Sequence, residues 1–207
     1  MADDLDGNEI EILGERTGTL SIRGKRNRVL IGEGARFDGT IEIVGDDNIV
    51  EIDRFATVRG SVIWISADRS EVTIGKAAGV VSSSFQIAET SRIIVGEESA
   101  ISAECWMSTS DMHPIYSKAT GRRINPARDI ILGNRVWVGF RSIVLKGSRM
   151  GDDSILGAGS VLRGKVADSS IACGNPATQQ ATGVRWEWDL ESHASSAPSN
   201  SGIAEIA

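Results

Sequence analysis

From residue 132 onward the chain repeats itself every six residues. Aliphatic side chains stand at Leu132, Val138, Val144, Met150, Leu156 and Leu162, and a glycine follows at 133, 139, 151 and 157. Four places after each aliphatic comes a small or β-branched residue: Val136, Ser142, Ser148, Ser154, Ser160 and Val166. Neither the helical period of 3.6 nor the strand period of 2 generates three correlated positions at a spacing of six. The first half carries the same unit more loosely. Segments starting at Ile31, Ile52, Ile74 and Val95 align with separations of 21, 22 and 21 residues, and hexads continue inside them, as in Ile31, Phe37, Ile43 and in Val95, Ile101, Met107.

A six-residue unit is a short strand and a turn, so three units close one triangular coil, with a few extra residues at one corner. The aliphatic residue points into the prism, and the small residue four places on fits where the interior narrows. One hexad cannot bury its own face, so the coils must stack and pair as parallel strands around a continuous aliphatic column. The expectation is an all-β solenoid, a parallel β-helix; an ordinary β-sandwich with regular turns is the alternative it displaces. The period does not set the handedness. The chain has 23 Gly and 4 Pro in 207 residues. The glycines are expected at corners that need a positive φ, and proline is scarce because paired coils use their backbone N–H groups.

The repeat divides the chain. Residues 27–176 form the β-helix, interrupted at 112–128 by a stretch that breaks the hexads and must be extruded as a loop. Residues 1–26 form an N-terminal cap or an irregular first coil, with Leu20 and Ile22 facing inward. Cys173, Gly174, Asn175 and Pro176 stop the repeat, and residues 177–191, with Trp186 and Trp188, are expected to cap the open end as a short helix or strand. Residues 192–207 are Ser/Ala-rich and read as a mobile tail.

Composition removes several functions. Apolar residues make up 41%, charged residues 24%, and the net charge is -6, a globular and acidic balance that disfavours nucleic acid as partner. No apolar run reaches the ~18 residues of a membrane span. Residues 1–9 are acidic and lack a secretory pattern, and two cysteines are too few for a disulfide scaffold, so a cytoplasmic location is expected. The two histidines are His113 and His193, and His193 lies in the tail. A three-histidine metal site therefore fails on ligand count, and no metal is expected. Cys105 occupies a small inward slot and reads as core, while Cys173 has no histidine near it in sequence.

The tandem hexads, with VWVGFRSIVLKGSRMGDDSILGAGSVL followed by GNPA, resemble the hexapeptide-repeat acyltransferases. The segment STSDMHPIYSKATGRRINPARDIILGNRVWVG is similar to the polysaccharide and capsule O-acetyltransferase branch of the sialic acid type, with its SD-x-H, TG-x-RIN and VW-x-G strings. The likeness covers roughly residues 27–178 and is specific from 108 to 164. It implies a left-handed β-helix, assembly as a homotrimer, and transfer of acetyl from acetyl-CoA to a hydroxyl of a sugar or polysaccharide. A trimeric β-helix scaffold or binding protein that has lost catalysis is the alternative.

The resemblance places the catalytic histidine at the base of the loop, which is His113. The chemistry agrees: a sugar hydroxyl is barely acidic, so attack on a thioester needs a base on its proton, and an imidazole suits neutral pH. Asp111 sits in the same string and either orients that imidazole or makes local turn hydrogen bonds. Trp137 follows Val136 and points outward; it lines the groove near the thioester by resemblance, or packs at a trimer interface. The resemblance lays pantetheine along the coils at Gly139, Phe140 and Ala158. CoA phosphates are expected at Arg163 and Lys165, with Lys146 facing a phosphate or an interface carboxylate. After the GNPA string no base follows, which leaves Arg185 as a further candidate.

Lys118, Arg122, Arg123 and Arg128 put four positive charges and no acid into residues 112–128 of a net-acidic chain. This suggests an anionic acceptor such as a sialic or uronic acid, or CoA phosphates, with pairing to acids of a neighbouring subunit as the structural account. Tyr116, Arg122, Arg123 and Asn125 are the candidate acceptor contacts, Asn125 alternatively shaping the loop through turn chemistry.

Overall fold

The computed structural model describes residues 7–190. Tyr116 and Arg123 aside, the strands pair in parallel down three faces, the exception being a terminal antiparallel pair. Face A stacks Glu9–Ile12, Arg28–Ile31, Ile49–Ile52, Glu71–Ile74, Arg92–Val95, Ile130–Leu132, Arg149–Met150 and Lys165–Val166 in that order. Face B stacks Gly79–Val81, Ala100–Ile101, Trp137–Val138, Ile155–Leu156 and Ser170–Gly174, and face C stacks Ser84–Ile87, Trp106–Ser108, Ile143–Leu145 and Val161–Leu162. The longer strands Arg36–Val44 and Thr57–Ile65 turn the corner from B to C and join the two faces into one sheet. About seven coils stack in this way. No helix occurs among the described residues, and so none long and apolar enough to cross a membrane.

The hexad aliphatics are the core. Leu132, Val138, Val144, Met150, Leu156 and Leu162 are buried, as are the small residues four places on. Coils stay in register because each inward residue sits on its counterpart one coil away: Ile63, Phe85, Met107 and Val144 form one such column. Buried polar residues line a corner of the prism. Asn27 accepts at Oδ1 from the Asn48 amide (2.9 Å) and side chain (3.0 Å), Asn48 Oδ1 accepts from the Ser70 amide, and Ser70 Oγ from the Ser91 amide. This ladder runs at the same spacing as the hydrophobic repeat and supplies the corner's buried backbone groups with partners.

Among the described residues eleven glycines, Gly34, Gly121 and Gly159 among them, do have the positive φ expected of corners, but the hexad glycines do a different job. Those that follow an inward aliphatic do not have a positive φ. The left-handed position falls two residues later and is held by Gly34, Phe55, Ala77, Glu98, Arg135, Arg141, Asp153 and others. At Gly75 a Cβ would lie 2.7 Å from the Glu97 amide nitrogen of the next coil, and at Gly139 one would lie 2.6 Å from that of Ala158. Close approach of stacked backbones selects these glycines, not corner dihedrals.

Both ends depart in detail from the sequence reading. Residues from Glu9 to Arg23 form a coil in register with the next one, with Leu20 and Ile22 packed against the core. Ala177–Thr182 is a strand antiparallel to Ser170–Gly174. Trp186 and Trp188, expected to close the end of the prism, instead lie along its side: Trp186 against Arg135, and Trp188 over Gly79. Residues 184–190 thus form a strap folded back across several coils. The expected tail, with His193, lies outside the described residues.

Candidate active site

The break in the hexads is a hairpin. It leaves after Trp106–Ser108 on face C and returns at Ile130–Leu132 on face A. Tyr116 bridges Arg123 antiparallel, the Ser117 amide donates to Arg122 O and the Ile124 amide to Ile115 O, and Gly121 turns the tip with φ +64°. At its base Asn125 is buried and bonded on all sides. Its Nδ2 donates to Asp111 Oδ2 (2.8 Å) and to the His113 carbonyl (2.9 Å), and its Oδ1 accepts from the Ile115 amide (2.6 Å). Lys146 Nζ, rising from face C, donates to Asp111 Oδ2 (2.6 Å) and to Asn125 O (2.9 Å). Arg123 grips Glu89 through both nitrogens, at 2.6 and 2.7 Å, and Ser110 Oγ donates to the same carboxylate.

These contacts show what several of the expected site side chains bond to within one chain. Asp111 bonds Lys146 and Asn125 rather than the His113 imidazole, and Lys146 with Asn125 holds its carboxyl below the usual carboxylate range. The Arg123 guanidinium does the same for Glu89, with Ser110 adding to it against the opposing effect of burial. Asn125 and Arg123 therefore shape the loop. The positive hairpin does find an acid, but in its own chain: Glu89, one coil before Ser110. The sequence reading passed over Glu89, although its 21-residue offset from Ser110 is the coil repeat itself.

His113 is exposed, and among the described residues its imidazole makes no hydrogen bond; only its backbone is held, by Asp111 O and Asn125. A cavity of about 320 Å³ opens beside the loop base between Asp111, Ile115, Asn125, Arg128, Lys146 and Arg163. Asp111 is its one acid against three bases, which leaves it electropositive. Tyr116 and Arg122 stand exposed on the hairpin. Lys165 stacks beside Arg149 on face A, and Cys105 is buried, with its thiol pushed up by desolvation and donating to Gly139 O.

Trp137 lies on face B. Its ring is 40% exposed, its Nε1 donates to Ser102 Oγ (3.1 Å), and it packs 6.1 Å from Trp186. The hairpin leaves the edge between faces C and A, which in a three-sided prism is opposite face B. One chain therefore does not bring His113 and Trp137 together. The expected pantetheine contacts divide as well: the Gly139 amide donates to Leu156 O and the Phe140 carbonyl accepts from Gly159, whereas Ala158 is exposed. No cluster of three or more metal-binding side chains occurs among the described residues.

No family model matches the chain. Solved structures do. The polysialic acid O-acetyltransferase OatWY superposes with a TM-score of 0.77 at 22% identity, over 91% of each chain. The polySia specific acetyltransferase NeuO superposes with 0.65 at 23%, over 91% of this chain and 92% of that one. The fold is thus the left-handed β-helix of the hexapeptide-repeat class. By sequence the chain is similar to polysialic acid O-acetyltransferases. It is 31% identical to that of Neisseria meningitidis over 129 residues, 62% of this chain and 60% of the relative. With that of Escherichia coli O1:K1 the identity is 26% over 137 residues, 66% of this chain and 44% of the relative. The matched part thus spans about half the length of these relatives.

Proposed function

We propose that this protein transfers an acetyl group from acetyl-CoA to a hydroxyl of an acidic sugar polymer, with His113 as general base. The observation that carries the reading is the presentation of His113: a hairpin braced by Asn125, Lys146 and Arg123 holds its backbone in place and leaves its imidazole free for a ligand. Imidazole nitrogen takes the acceptor's hydroxyl proton as the oxygen attacks the thioester carbonyl. The tetrahedral intermediate collapses, the C–S bond breaks, and the imidazolium returns the proton to the departing CoA sulfur. The names of the relatives supply acetyl transfer to polysialic acid as the closest chemistry.

The opposed positions of His113 and Trp137 support a homotrimer in which the hairpin of one copy meets face B of the next. The site is then complete only between subunits, and Trp137 flanks the thioester there. Asp111 positions the loop that carries the base. Arg128 and Arg163, beside the loop base, fit either a carboxylate of the acceptor or a phosphate of CoA. Lys165, the exposed Ala158 and the Phe140 ring extend the proposed CoA track, and Tyr116 and Arg122 the acceptor side. Gly139 serves this site through structure, its one donor spent on Leu156 O, while Lys146 spends two of its three donors on Asp111 and Asn125.

Thiol release from acetyl-CoA with sialic acid polymers tests the reading. Wild type releases CoA only with acceptor present, and His113→Ala, with unchanged oligomeric state, loses at least a hundredfold of the rate, the usual scale of general-base catalysis. A variant as fast as wild type would remove the general base. Failure of any sugar to support turnover, with no binding of acetyl-CoA, would leave a scaffold.

A further inference from the structure

The C-terminal strap builds a second feature on face B. Trp186 is buried to 8% exposure; its Nε1 donates to Arg135 O, and Arg135 Nη2 donates back to Trp186 O at 2.7 Å. Arg135 also bonds Asp153 at 2.8 Å. This reciprocal pair pins the strap to the wall of the prism. Trp186 in turn packs between Trp137 and Trp188, whose ring lies 5.1 Å away edge to face. The result is a cleft of about 800 Å³ running from Phe55 past Gly79 and Ile101 to Trp137. It crosses four neighbouring strands, a length of about 14 Å at the usual strand spacing.

Its walls suit a sugar chain. Trp137, Trp188 and Phe55 present rings that are 40%, 55% and 58% exposed, and flat aromatic faces stack on the C–H faces of pyranose rings. The acids that reach the cleft, Glu98 and Glu187, share Arg135 with Asp153 at 3.5 and 3.8 Å, and Glu187 also meets Arg185 at 3.4 Å. Arg59, exposed in the floor, has no carboxylate partner among the described residues. A groove of exposed rings with one uncommitted guanidinium matches an extended glycan that bears carboxylates.

We propose that the strap makes this cleft a binding subsite for an acidic oligosaccharide, Trp188 stacking on a sugar ring and Arg59 meeting a carboxylate several residues from the acetylated hydroxyl. The inference rests on the proposed acetyl transfer and deepens it: the subsite gives preference for polymer over monomer.

The test uses the full chain in its native assembly, with a short sialic acid oligomer, the monomer and an uncharged dextran oligomer as probes. Trp188→Ala raises the KM for the sialic acid oligomer about tenfold, a loss on the scale of one aromatic contact, while the KM for acetyl-CoA holds. Trp188→Phe, which keeps a flat ring, recovers most of the loss. Arg59→Gln weakens the acidic oligomer and leaves binding of dextran as it was. Without acetyl-CoA, the sialic acid oligomer changes tryptophan fluorescence in wild type and less so in Trp188→Ala. An unchanged oligomer KM, an equal rise in the KM for acetyl-CoA, or a fall of Trp188→Ala to monomers would each overturn the subsite, the last by making Trp188 itself a subunit contact rather than a sugar platform. Loss of the general-base reading at His113 leaves the fluorescence titration standing, so the two ideas fail separately.

Discussion

Asn125 Nδ2 lies 2.8 Å from Asp111 Oδ2, and through this bond the two legs of the extruded hairpin close on each other above Lys146. The same amide group carries the His113 carbonyl. The backbone of the proposed base is thus held by the side chain of Asn125, a buried residue at the wall of the cavity. Asn125→Ala removes both bonds and orphans the Ile115 amide. It is expected to cut kcat by ten- to a hundredfold and leave the KM for acetyl-CoA within a factor of three, because misplacement of a positioned group acts on the rate. Hydrogen exchange of the hairpin amides rises in the same variant. Equal kcat in both proteins would show that the hairpin keeps its shape without this residue.

The carboxylates that brace the loop set its acid limit. Lys146 and Asn125 lower Asp111, and Arg123 lowers Glu89. A carboxyl whose folded pKa is depressed contributes its full stabilisation above its unfolded value, near 4, and loses it as pH falls through the folded one. Hairpin protection against hydrogen exchange is therefore expected to be flat from pH 7 to 5 and to collapse below pH 4. Glu89→Gln, which keeps the shape and removes the charge, shows weaker protection already at pH 7. Protection that declines between pH 7 and 5 would mean that other groups hold the loop.

The stacked column through Phe85 makes the repeat cooperative. Its ring lies between Ile63 and Met107 with no solvent exposure. Phe85→Ala is expected to cost about 3–5 kcal/mol, read as a fall in the urea midpoint with an unchanged slope, since the rigid coils above and below cannot collapse into the void. A cost below about 1 kcal/mol would mean that neighbouring coils do move in.

How far the fold could be read in advance depended on whether a residue answers to its neighbours in sequence or to those one coil away. The hexad placed the inward residues, the coil length and the extruded loop, because period alone decides which side chains face the prism. Trp137 was placed outward for the same reason. Glu89, Ser102 and the strap over face B were not legible, since each acts on a partner 21 to 51 residues distant. The motif leaves Asp111 either the imidazole or local turn bonds, and its spacing says nothing about Lys146 rising from the next coil. The glycine positions were legible and their cause was not: composition cannot distinguish a residue chosen for its dihedral from one chosen for the backbone stacked against it.

That distinction gives the last prediction. Gly75 has an ordinary φ, yet its added Cβ would sit 2.7 Å from the Glu97 amide nitrogen, a backbone atom that cannot swing aside. Gly159 is the reverse, with φ +68° and open space around it. If coil stacking selects the first and dihedral the second, Gly75→Ala forces two coils apart and costs about 2–3 kcal/mol, as overpacking does. Gly159→Ala meets only the left-handed strain of about 1 kcal/mol. Urea denaturation of the two variants ranks them. Gly159→Ala as the more damaging change would mean that the left-handed dihedral, and not coil stacking, is the stronger constraint on these glycines.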